Sequence, residues 1–155
     1  MNGRALRLGL AVLAVSAGLW AGDAPFIGTW KLNLAKSKYT PGPPPKSQVI
    51  KFEPNGDGVK STTEMVDANS NKFTATYTAY YDGKDYSFVG LPDYDSTALT
   101  RIDTNAADFI NKKAGKVVRT GRRELSKDGK VLTITSRGTN AKGQPFTNVA
   151  VYDKQ

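Results

Sequence analysis

Three arginines stand where a two-residue period puts side chains alternately on the two faces of an extended segment. Arg119 and Arg123 share the odd-numbered face of their segment with Val117 and Leu125, and Arg137 shares that of the next segment with Val131. If those faces point inward, each arginine is a buried charge that needs an anionic partner to offset its desolvation. A ligand carboxylate or phosphate held bidentately is one such partner, and a nearby acid such as Asp103 is another. An arginine at a water-filled opening needs neither. The aromatic side chains of Tyr77, Tyr81, Phe88, Phe109 and Tyr152 can line the wall of a small-molecule cavity, or they can pack a plain core.

Other chemistries are excluded or poorly supported. The chain has neither cysteine nor histidine, which removes disulfides, Cys/His zinc sites, imidazole ligation of haem, and Ser–His or Cys–His nucleophiles. Asp82/Asp85 and Asp93/Asp95 are paired carboxylates of the kind a glycosidase or a calcium loop uses. Both pairs sit beside Gly or Pro, where aspartate is expected for turn chemistry alone. Neither a phosphate-binding loop nor a dinucleotide fingerprint is present. The expectation is a non-catalytic protein with no cofactor and no metal. The balance is basic, 22 Lys+Arg against 14 Asp+Glu, and Lys112 to Arg123 holds six basic residues and no acid. Such a run can meet an anionic membrane surface electrostatically, or simply form a solvated hairpin. It lacks the interleaved aromatics that stack nucleic-acid bases, so nucleic acid is not expected as a partner.

The elements that must position these residues read as strands. Phe73, Ala75, Tyr77, Ala79 and Tyr81 fall on one face of a segment whose other face carries Thr74, Thr76 and Thr78. Further segments run over 28–34, 47–53, 58–66, 86–89, 97–103, 108–113, 116–125, 130–138 and 146–152, about ten in all. Asn55-Gly56, Asp82-Gly83, Ala114-Gly115, Asp128-Gly129 and Gly143-Gln144-Pro145 separate them as turns. No stretch repeats apolar residues with the helical period. Nearly every break is short, which suits hairpins between neighbouring strands; only 35–46, with its proline run, is long. An all-β, antiparallel up-and-down meander of eight to ten strands closing into a barrel is therefore expected, with a two-sheet sandwich as the alternative.

The first 24 residues form a separate piece. Arg4 and Arg7 precede the apolar run Leu8–Val15, and small residues follow, which is the three-part layout of a secretory signal peptide. Cleavage after Ala17, Ala21 or Ala24 fits the small-residue pattern. The expected organisation is a signal peptide over 1–24 and one barrel domain over 25–155, working in the periplasm or outside the cell. A retained N-terminal anchor is the alternative.

Phe26-Ile27-Gly28-Thr29-Trp30-Lys31-Leu32 carries a G-x-W pattern on the first strand, followed by Lys36-Ser37-Lys38 and the proline run. This resembles the calycins, the lipocalins and fatty-acid-binding proteins, and more narrowly the small secreted lipocalin-like proteins of bacteria. The resemblance implies that Trp30 closes one end of the barrel beneath a late-strand Arg or Lys. It also implies a ligand inside. The fatty-acid-binding proteins end their carboxylate clamp in Arg-x-Tyr; the matching residues here are Ala150-Val151-Tyr152, which keep the tyrosine and lose the arginine.

Two functions follow. One is a carrier that holds a small apolar or amphipathic molecule among Tyr77, Tyr81, Phe88, Arg119, Arg123, Arg137 and Tyr152. The other is a structural or envelope-interaction module whose barrel is filled by its own side chains. Large inward residues such as Tyr77 and Phe88 fill a barrel, whereas Ala75, Ala79 and Ala150 leave it hollow. Both kinds share the same strands.

Overall fold

The computed structural model describes residues 25–155, so the signal-peptide segment and its cleavage site lie outside the described residues. Eleven strands follow one another: β1 (Gly28–Leu32), β2 (Lys38–Thr40), β3 (Ser47–Asn55), β4 (Gly58–Val66), β5 (Lys72–Ala79), β6 (Tyr86–Val89), β7 (Ser96–Asp103), β8 (Ala106–Lys113), β9 (Lys116–Leu125), β10 (Val131–Thr139) and β11 (Pro145–Lys154). From β3 onward each strand pairs antiparallel with the next, and β1 pairs with both β3 and β11, which closes the barrel. Closure leaves no central strand with an unpaired edge.

The meander and its closure are those the hairpin spacing implies, and the sandwich alternative is set aside. What the sequence pattern misses is β2. The first strand breaks at a single 3₁₀ turn, Leu34–Lys36, which Asn33 caps by accepting from Lys36 N. The chain then rejoins the same neighbour, so β1 pairs with 152–154 of β11 and β2 with 147–149. Ten strand positions make the wall. Ser37 Oγ fixes the break by accepting from Val151 N and donating to the Asn33 carbonyl.

The core gathers at one end. Phe26, Trp30, Val59 and Leu132 are fully buried there, with Leu99 and Ala79 beside them. Trp30 Nε1 donates to the Phe26 carbonyl at 2.8 Å, so the indole buries its polar atom with a partner. Lys154 of the last strand lies over the indole, its Nζ 5.3 Å from the ring centroid.

Turn and surface carboxylates carry most of the acid sensitivity. Asp67, Asp82, Asp108, Asp128 and Asp153 are held below the usual carboxylate range chiefly by hydrogen bonds from Asn71, Tyr86, Arg122, Ser126 and Asn33 respectively. A depressed folded-state pKa means that the folded chain binds fewer protons than the unfolded one. Their stabilisation is therefore present above the unfolded value near 3.8 and lost as the pH falls through the folded values. With no histidine to titrate, melting temperature is expected to stay level from pH 8 to about 5 and to fall below about pH 4. The Asp82 carboxylate pushes the Tyr86 phenol up to about 12, so stability also declines as pH rises through that value. Thermal melts across pH check both limbs.

Candidate functional site

The end opposite Trp30 is open. Its rim is made by the proline loop after β2, the β4–β5 turn, the 90–95 segment and the β10–β11 turn, and these surround an outer chamber of about 480 Å³. Tyr39, Pro41, Pro43, Pro45, Met65 and Phe146 give it an apolar wall. Below it lies an inner chamber of about 80 Å³, its wall mixing apolar Ile50, Phe52, Leu99 and Ile134 with polar Ser61, Thr63, Thr97 and Asn111. Gln48, Leu91, Tyr94, Arg119 and Tyr152 line both chambers and so form the neck between them.

Arg119 reaches the neck by plain alternation with Gly121 and Arg123, and a bulge interrupts β9 just before it. Asn111 of β8 faces Arg119, but Lys112 faces Val117, so Val118 is the extra residue. The bulge turns Val117 outward, half exposed, and leaves Arg119, Gly121 and Arg123 in one inward phase. The expectation that Val117 shares the arginine face is thereby corrected. Arg119 Nη1 donates to Tyr94 Oη at 3.1 Å, and its guanidinium carbon lies 5.0 Å from the Phe109 ring centroid. Its Nε is buried without a hydrogen-bond partner among the described residues, and no carboxylate lies within ion-pair distance of it. Ser136 Oγ, on the outer-chamber wall in a residue 2% exposed, is likewise without a partner.

Two phenols stand near this cation. Tyr152 donates to Gln48 Oε1 at 3.0 Å, and its pKa is driven far above the ordinary value, first by burial. Burial also raises Tyr39, while the neighbouring Arg119 charge pulls the other way. Both stay protonated; the one Tyr152 proton goes to Gln48, so Tyr39 is the phenol that can donate to an acceptor in the chamber. The acids of the outer chamber, Asp67 and Asp93, lie on the rim loops. The Asp67 carboxylate already accepts from Asn69 N, Asn71 N and Asn71 Nδ2.

Arg123 has a different setting. It is 3% exposed, its guanidinium carbon lies 4.5 Å from the Phe26 ring centroid and 4.8 Å from that of Phe52, and it donates to the hydroxyls of Tyr77 and Tyr81. Arg101 in turn lies over the Tyr81 ring, 3.9 Å from its centroid. Arg123 thus forms the floor of the inner chamber and ties it to the aromatic plug.

The structure brings Tyr77, Phe88, Arg119, Arg123 and Tyr152 to the inner-chamber wall. Tyr81 lines neither chamber; it packs beneath Arg123 at the plugged end. Arg137 is a correction. In β10 the even-numbered Leu132, Ile134 and Ser136 are buried, so Arg137 points outward and is exposed. Val131 does not mark the inward face, because it lies at the strand's first residue and is only half-buried. Arg137→Ala is expected to leave ligand affinity unchanged and stability within about 0.5 kcal/mol. Binding titration and urea melts of the variant check this.

The basic run over 112–123 is also divided by the strand period. Lys112 pairs with Asp85 at 2.7 Å and Arg122 with Asp108 at 2.6 Å on the outside, Arg119 and Arg123 turn inward, and Lys113 and Lys116 remain at the hairpin tip. Sequence reasoning missed Gln48, Tyr39, Tyr94 and Ser136. Ser136 was legible from the alternation once the phase of β10 is set by Leu132 and Ile134. Tyr94 lies in an irregular segment with no period, so only its aromaticity between two aspartates marked it.

No protein-family model matches the sequence, and no curated protein matches it either. Solved structures do. The ileal bile acid-binding protein of zebrafish, complexed with cholic acid, is 17% identical with a TM-score of 0.50, over 84% of this chain and 99% of that one. A redesigned β barrel, mFAP1, bound to DFHBI, is 13% identical with a TM-score of 0.44, over 86% and 99%. At this identity the first likeness is one of fold alone, an antiparallel meander closed into a β barrel.

Proposed function

We propose that the protein is an exported carrier that takes a small apolar or amphipathic molecule through the open mouth, without catalysing a reaction on it. The observation that carries this reading is Arg119, a cation at the neck whose buried Nε has no hydrogen-bond partner, and which has no carboxylate beside it, among the described residues. An acidic or strongly polar end of the ligand satisfies that group, with Tyr39 as a further donor, while the body lies against the prolines and aromatics of the outer chamber. The driving force is removal of apolar ligand surface from water, about 25 cal/mol per Å² before the losses of motion on binding. The bile acid-binding protein of the same fold holds cholic acid, which is consistent with a ligand of this general kind.

The filled-barrel alternative describes the lower half well, where side chains leave about 80 Å³; it does not describe the upper half. Export rests on the three-part N-terminal pattern, and the N-terminal residue of protein recovered outside the cytoplasm tests it. Contact with an anionic membrane surface is proposed through Lys113 and Lys116 at the rim, and salt-sensitive vesicle binding is its readout. The carrier reading is tested by native mass spectrometry of the exported protein, with solvent extraction of whatever is bound. A stoichiometric small molecule is expected. A clean unliganded mass, with no binding from panels of acidic and neutral amphiphiles, overturns it.

A further inference from the structure

Between Arg119 and Arg123 the next inward position of β9 is Gly121, which places no side chain in the lumen. Its Cα partner across the β8–β9 ladder is Phe109. A Cβ built on Gly121 would stand 2.4 Å from Phe109 Cζ and 2.8 Å from Cε1, and 2.5 Å from the Thr135 carbonyl oxygen. The phenyl ring therefore lies directly on the glycine backbone, in space that any other residue at 121 would claim. Held there, it fills the lumen between the two inward arginines, 5.0 Å from the Arg119 guanidinium carbon. Phe109 lines the inner chamber and not the outer one.

The volumes give this placement a consequence. A space of about 80 Å³ holds two or three waters at about 30 Å³ each, and no alkyl chain of useful length. We propose that Phe109, seated on Gly121, is a depth stop that confines the bound molecule to the outer chamber and the Arg119 level, and so selects a compact amphiphile over an extended chain. The inference rests on the reading of the mouth as the ligand's entrance. Its central claim, that this one ring limits the depth, can be tested apart from that reading.

The experiment compares the wild type with Phe109→Ala and Phe109→Leu in two assays. The first is binding of saturated alkyl carboxylates from hexanoate to hexadecanoate. In the wild type, affinity is expected to stop rising at a modest chain length. In Phe109→Ala it is expected to keep rising for several further methylenes, about fourfold for each one that reaches the new space, with Phe109→Leu between. The second assay is binding of benzene, which enters an apolar cavity made by truncation without needing the mouth's polar groups. Benzene is expected to bind Phe109→Ala and not the wild type. Unchanged chain-length dependence with no benzene uptake, in a variant whose circular dichroism is native, overturns the depth stop. Benzene uptake by Phe109→Ala with no carboxylate binding by any of the three proteins upholds the depth stop and overturns the carrier reading instead. If Phe109→Ala does not fold, Phe109→Leu decides by the same criteria.

Discussion

Trp30→Ala is expected to lower the free energy of unfolding by about 3–5 kcal/mol, the range for deleting a large buried aromatic. The indole is fully buried among Phe26, Val59 and Leu132, so its loss leaves a cavity at the plugged end that the closed strands cannot collapse to fill. Three further effects add to the cavity. The Phe26 carbonyl loses the Nε1 donor at 2.8 Å, the Lys154 ammonium loses the ring beneath it, and the segment before β1 loses its tie to the barrel. Against a typical total of about 5–15 kcal/mol, such a change is a large fraction of the whole. Trp30→Phe separates the contributions: it keeps most of the apolar volume and loses the hydrogen bond, so a smaller loss of about 1–3 kcal/mol is expected. Urea melts of the three proteins measure this. A Trp30→Ala loss under about 1 kcal/mol would mean that the indole does not plug the barrel.

Arg119→Met is expected to weaken binding of an alkyl carboxylate by about 10- to 100-fold while leaving the fold intact. A hydrogen bond to a charged group contributes about 1.5–3 kcal/mol, which sets that range. Methionine keeps the length and much of the packing against Phe109, and it removes a guanidinium whose Nε has no partner. Removing a charge so placed is expected to be neutral or mildly stabilising, so thermal melting serves as the control for folding. The matching alkyl alcohol supplies the second control. Its affinity is expected to change little, because only the acidic end depends on the positive charge. Equal losses for alcohol and carboxylate would mean that Arg119 shapes the neck sterically. No loss for either would remove it from the binding site.

Much of the wall was legible in the residues. The Thr-alternating segment 73–81 and the Gly-containing turns mark the strands because a two-residue period and a positive-φ turn are local properties. β4, β6 and β9 run over the spans the pattern indicates. The all-β meander follows from short connections, since a break of a few residues lets a strand reach only the strand beside it. The G-x-W start likewise marked Trp30, whose burial is set by its own first strand. The exclusion of imidazole and thiol chemistry followed from residue types alone, as no fold can supply a group that the chain lacks.

Tertiary structure decided what depends on phase and on partners far along the chain. A single-residue bulge at Val118 turned Val117 out while Arg119 kept the phase of Arg123, and a strand's phase cannot be read across a pattern interrupted there. The same uncertainty put Arg137 on the wrong face: β10 carries Val131 and Leu132 side by side, and only pairing with β9 and β11 selects which one points inward. β2 escaped notice because three residues form a strand only through their ladder to β11, over a hundred residues away. The two chambers are the clearest case. Whether a barrel is hollow depends on where large side chains meet across the lumen, as Phe109 does on Gly121, and that is a property of register between strands. The sequence by itself determined the kind of wall and the chemistry excluded from it. Closure of that wall decided which of its arginines face a ligand-sized space.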